Sequence, residues 1–141
     1  MPEAAAYCAW KYPDGGRLPT EEEWEAAARG PSARTYAWGS TWTPGAANVG
    51  TNAIARVGLH PLGRTPEGLE DMTGNVWEWT SSPFVSYGKA VTGMPAQFVI
   101  RGGGFNSIER AAAAFFRAGA APVLQRDQLA VTGFRCAMSV P

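Results

Sequence analysis

A chain of 141 residues, 45% of them apolar, is long enough to bury one core and too apolar for a disordered segment. Twelve basic residues balance twelve acidic ones with no basic cluster, which argues against a nucleic-acid partner. No apolar run approaches the roughly 18 residues that span a bilayer, and the opening MPEAAAYCAW lacks the order of a signal peptide, so no membrane insertion is expected and the compartment stays open.

In chain order, the first predicted element is a short helix with Ala4, Tyr7, Cys8 and Lys11 at helical spacing, ended by the turn residues Tyr12-Pro13-Asp14-Gly15-Gly16. A second helix follows Leu18-Pro19. Thr20 caps it, Glu23 three residues on completes a capping box, and the acidic first turn suits the helix dipole. Trp24, Ala27 and Ala28 form its inner face, and Gly30-Pro31 stops it. From Tyr36 to Asp71 glycine and proline interrupt every period. An irregular stretch of that length inside one domain must be packed or functional. Strands are predicted at 76–79, 97–101 and 134–140, which are rich in β-branched and aromatic residues. The alanine run Ala111-Ala112-Ala113-Ala114 favours a helix on propensity, with surface display as the competing reading of 106–132. Gly102, Gly103 and Gly104 precede neither GK[ST] nor a helix start, so close packing or positive φ explains them better than a phosphate loop. With Trp24, Trp38, Trp77 and Trp79 as expected core anchors, these elements make a loop-rich α+β domain. The only two cysteines, Cys8 and Cys136, allow one disulfide or two thiols.

Four segments read together resemble one family. RLPTEEEWE (17–25), YAWG (36–39), DMTGNVWEW (71–79), and RGGGF (101–105) with GFRC (133–136) are similar to the signatures of formylglycine-generating enzymes, the sulfatase-modifying factors, in the same order and spacing. The resemblance covers nearly the whole chain as a single domain, residues 1–141, with the family's N-terminal part missing. It implies a C-type-lectin-like fold with two short helices and a small antiparallel sheet.

What the resemblance implies for function turns on cysteine. In the enzymes a pair of cysteines soon after the RGG motif binds copper and performs the oxidation, because paired thiolates hold a soft ion. Here residues 105–117 contain no cysteine, and the Ser107 hydroxyl is a poor ligand for Cu(I). No copper is expected, and the chain reads as a non-catalytic ligand-binding domain. The alternatives are a formylglycine-generating oxidase acting on a sulfatase cysteine and a sensor or scaffold domain appended to a protein kinase.

In relatives the turn at 71–78 holds calcium, which implies one site with carboxylates from Asp71 and Glu78 and carbonyls from Gly74 and Val76; the alternative is an empty turn whose Asn75 and Glu78 bond backbone amides. A second family site pairs an asparagine like Asn48 with a downstream aspartate, yet no aspartate lies between Asp14 and Asp71. Cys8 and Cys136 resemble positions that pair as a structural disulfide. In the family's retroelement variable proteins the segment between RGG and GFR displays diversified side chains. Its composition here, rich in Ser, Ile, Ala, Phe, Gly, Val, Leu and Arg, is compatible with adenine-targeted changes of AAC codons, whereas Glu109, Gln125 and Gln128 are not reachable that way. Asn106, Ser107, Arg110, Phe115, Phe116, Arg117, Leu124 and Arg126 are the expected contacts to a protein or other macromolecular partner, since aromatics and arginine concentrate binding energy.

Overall fold

The computed structural model describes residues 1–85 and 96–139. Helix α1 (Pro2–Lys11) starts with proline in its first turn, where the missing N–H costs nothing, and buries Ala4 and Cys8 one turn apart. After β1 (Gly16–Arg17) comes α2 (Glu21–Arg29), whose predicted capping box is present in full: Thr20 accepts from the Glu23 amide and Glu23 from the Thr20 amide. The Arg17 guanidinium, with the Thr20 amide, holds the Glu23 carboxyl down to about 2. Gly30 ends α2 at φ 56°.

The main sheet has the order β4-β3-β2-β5, from β2 (Trp77–Pro83), β3 (Phe98–Arg101), β4 (Ala118–Ala120) and β5 (Thr132–Phe134). β2 runs antiparallel to β3, with Trp79 opposite Ile100, and β3 antiparallel to β4. β5 lies parallel to β2, with Glu78 opposite Gly133. The sheet is therefore mixed and not antiparallel throughout: after β4 the chain passes through a third helix, α3 (Arg126–Leu129), and re-enters on the far side of β2. The strand predicted at 134–140 is divided. Phe134 closes β5, while β6 (Ala137–Met138) pairs antiparallel with β1 in a separate two-stranded sheet; Val140 lies outside the described residues. No helix among the described residues is long and apolar enough to cross a membrane.

Two clusters make the core. One joins Ala4, Cys8 and Leu18 to Trp79, Ile100 and Ala120; the other joins Trp24, Ala28 and Ala37 to Met72 and Ala114. Trp24 and Trp79 are the buried anchors that the sequence suggests. Trp77 and Trp38 are only half-buried: Trp77 faces Phe116, and Trp38 stacks on Tyr36 in a cluster with Trp42.

The irregular stretch from Tyr36 to Asp71 is fastened by side-chain amides. Asn75 Oδ1 accepts from Asn48 Nδ2 at 3.1 Å and from the Ala55 amide at 2.9 Å, and Asn75 Nδ2 donates to the Ala55 carbonyl. Buried amides satisfied in this way replace the ladder that regular structure would supply.

Candidate functional site

The segment after the RGG motif is held from below by a charged network. Arg101 at the end of β3 is fully buried. It donates to Glu25 Oε2 at 2.5 Å and to the carbonyls of Ala114 and Phe116 at 3.1 and 3.0 Å, with its guanidinium 5.7 Å from the Trp24 ring centroid. Burial raises the Glu25 carboxyl, and hydrogen bonds from Arg29 and Arg101 more than reverse this, leaving it below its ordinary value. Sequence reading missed this centre. Its signals were Arg101 within RGGGF and Glu25 at the end of RLPTEEEWE, one turn past the acidic N-terminus of α2.

The same contacts decide the alanine run. Only one 3-10 turn forms (Glu109–Ala112), and Ala112, Ala113 and Ala114 are buried. The Ala114 amide donates to the Thr35 carbonyl at 2.8 Å while Arg101 takes the Ala114 carbonyl, so tertiary partners capture groups a helix would use. This turn packs directly on Gly103, at φ 77°, and requires glycine there: a Cβ at 103 would lie 2.8 Å from Ala112 Cα.

The expected contact residues divide three ways. Asn106, Arg110, Phe115 and Arg126 are exposed, alongside Ile108, Val123 and Leu129. Phe116 and Leu124 are half-buried, Phe116 against Trp77 and Leu124 against the first core cluster. Ser107 and Arg117 are not displayed. Ser107 Oγ accepts from the Gly104 amide at 2.9 Å and closes a turn. Arg117 reaches Glu21 through Nε at 2.5 Å and Nη2 at 2.7 Å, with its guanidinium 5.5 Å from the Phe84 ring centroid. A fork bound to a helix carboxylate anchors its own segment and has little left for a partner.

The turn at 71–78 positions Asp71, Gly74, Val76 and Glu78, with Asp71 and Asn75 at positive φ. Gly74, at φ 80°, packs so closely that a Cβ would lie 2.6 Å from the Asn48 carbonyl oxygen. Glu78 is buried and committed. Oε2 accepts from Trp24 Nε1 and Arg135 Nε, and Oε1 from Arg135 Nη2, each at 2.6 Å. Asp71 Oδ2 accepts from the Gly58 amide at 2.8 Å. Burial lowers the Arg135 guanidinium, but Glu78 more than compensates and leaves it raised. A cation beside a carboxylate that already accepts three N–H donors does not fit a calcium ion, which needs six to eight hard oxygen ligands. Among the described residues no cluster of three His, Cys, Asp or Glu side chains could hold a metal. Melting with calcium and with EDTA should give the same midpoint. A calcium-dependent rise that Asp71→Ala abolishes would restore the ion to this turn.

Cys8 and Cys136 are joined in a disulfide that ties α1 to the extended segment between β5 and β6, and no free thiol exists in the chain.

Comparison with known proteins places these features. Residues 1–140 match the family model described as the sulfatase-modifying factor enzyme 1-like domain. The inactive C-alpha-formylglycine-generating enzyme 2 of Mus musculus is 37% identical over 155 residues, covering 97% of this chain and 46% of that protein. The formylglycine-generating enzyme of Mycobacterium tuberculosis is 47% identical over 97 residues, covering 59% of this chain and 31% of that one. Among solved structures, the Treponema denticola variable protein 1 superposes with a TM-score of 0.74 at 27% identity, covering 89% of this chain and 48% of that one. The fold is C-type-lectin-like, and the chain spans between about a third and a half of the length of these relatives.

Proposed function

From the premise that this chain belongs to the sulfatase-modifying factor family, we propose that it is a non-catalytic ligand-binding domain. One observation carries the reading. The chain has two cysteines, both consumed in one disulfide, so no thiol stands in the segment after RGG where the enzymes keep their copper-binding pair. Without paired thiolates a soft metal ion has no seat, and the oxidation has no redox-active ligand. The similarity to an inactive relative and to a variable protein supports the same reading.

The proposed surface lies in residues 106–132 and presents Asn106, Arg110, Phe115 and Arg126, with Ile108, Val123 and Leu129 around them. An exposed aromatic ring and two exposed guanidiniums on a scaffold fixed from beneath suit a macromolecular partner. Diversification of this segment belongs to the same proposal. A neighbouring reverse transcriptase gene and a near-copy of the C-terminal coding segment are the observations that would support it.

The test uses the purified chain with copper, oxygen and a peptide carrying a CxPxR motif. The peptide cysteine should leave unchanged by mass spectrometry. Copper-dependent appearance of formylglycine would overturn the reading.

A further inference from the structure

A cavity of about 240 Å³ lies within the 106–132 segment, between the main sheet and the stretch of chain that carries α3. Ile100 and Ala120, both buried, line its floor. Trp77, Ala118, Leu124 and Val131 are half-buried walls, and the exposed Gln128 stands at the rim. The hollow follows from the sequence of the edge strand β4. A Cβ at Gly119 would lie 2.6 Å from Gln97 Oε1 and 2.8 Å from Phe84 Cγ, on one side of the sheet. Successive strand residues alternate faces, so Ala118 and Ala120 turn their methyls to the other side, where both pack with the first core cluster. Two methyl groups leave that end of the sheet face underfilled.

No charged side chain lines the cavity. Two of its polar side chains already bond within the wall: Gln128 Oε1 accepts from the Gln125 amide at 3.1 Å, and Thr132 Oγ1 donates to the Gln128 carbonyl at 2.8 Å. A charged group entering here would lose water and meet no opposite charge. A hydrocarbon group would gain from burial of its surface. The volume lies below the roughly 300–1,000 Å³ of small-molecule sites and suits one side chain. Val123 and Leu129, both exposed, adjoin Leu124 and Gln128 in the chain and leave further apolar surface beside these two residues. A partner that fills the cavity would cover that surface too, as an anchor residue does within an interface.

We propose that this cavity receives one uncharged apolar side chain of a protein partner, of leucine or phenylalanine size. The proposal rests on the reading that residues 106–132 face a partner, and it names the chemistry that anchors that partner.

The experiment is a nuclear magnetic resonance titration of the full chain with N-acetyl-leucine amide and N-acetyl-phenylalanine amide. At least one should shift the backbone amides of residues 118–120, 124 and 131–132, with a Kd in the tens of millimolar, about what one buried side chain supplies. N-acetyl-lysine amide should leave those signals in place at the same concentration. Ala118→Ile fills the cavity and should weaken the binding about tenfold or more, since overpacking opposes entry. Leu124→Ala is the opposite change: it widens the cavity and should move preference from the leucine amide towards the phenylalanine amide. A further arm uses 3-methyl-1-butanol, which carries the branched end of leucine on a free small molecule. Shifts with this alcohol and with neither capped amino acid would assign the cavity to a free ligand and overturn the proposal. No shift with either capped amino acid, equal shifts with the lysine amide, or binding undisturbed in both variants would overturn it as well. These titrations read the cavity directly, so their failure leaves the non-catalytic reading intact, and that reading fails separately, by formylglycine appearing on the peptide.

Discussion

Arg101→Ala should destabilise the protein by about 3–5 kcal/mol, the cost of breaking a buried ion pair by removing one partner. The guanidinium is fully buried and holds Glu25 together with the carbonyls of Ala114 and Phe116. Removing it leaves a partly buried carboxylate with only Arg29 and strands two carbonyls. It also frees residues 114–116, the support of the proposed surface. Arg110→Ala and Arg126→Ala provide the contrast, because both side chains are exposed and should stay within about ±0.5 kcal/mol of the parent. Urea unfolding of the three variants measures the difference. Arg101→Ala unfolding at the parent's midpoint would show that the network contributes nothing. Arg110→Ala falling as far as Arg101→Ala would show that the segment is scaffold and not a display surface.

Loss of the Cys8–Cys136 bridge should be equally costly. The bond closes a sequence separation of 128 residues. In the chain-entropy model that restraint on the unfolded chain contributes about 5 kcal/mol, a large part of the roughly 5–15 kcal/mol that holds a domain together. Cys8 is fully buried beside Leu18, Trp79 and Ile100, so alanine is the cleaner replacement because serine would bury a hydroxyl. The Cys8→Ala, Cys136→Ala variant should melt about 10–20 °C below the parent. Treatment of the parent with a reductant should approach the same midpoint. A shift of only a few degrees in both would show that packing of α1, and not the covalent tie, restrains the ends.

By itself the sequence determined the family, through motifs whose residues have fixed local tasks. Thr20 and Glu23 cap α2 whatever surrounds them, because a capping box closes within one turn. Gly74 and Gly103 permit close approach and positive φ at their own positions. The absence of a cysteine pair after RGG is equally readable without coordinates. The pairing of Cys8 with Cys136 was legible only through the family resemblance. Tertiary structure decided everything that depends on partners distant in the chain. Arg117 looks like a display residue until Glu21, 96 residues away, occupies its fork. Glu78 looks like a calcium ligand until Arg135 and Trp24 converge on it from other elements. The alanine run has the propensity for a helix, yet Thr35 and Arg101 claim its backbone groups, and that competition outweighs the few tenths of a kcal/mol per residue that propensity supplies. Local preference is written residue by residue, whereas a buried charge or a shared recess exists only once the long-range contacts that surround it have formed.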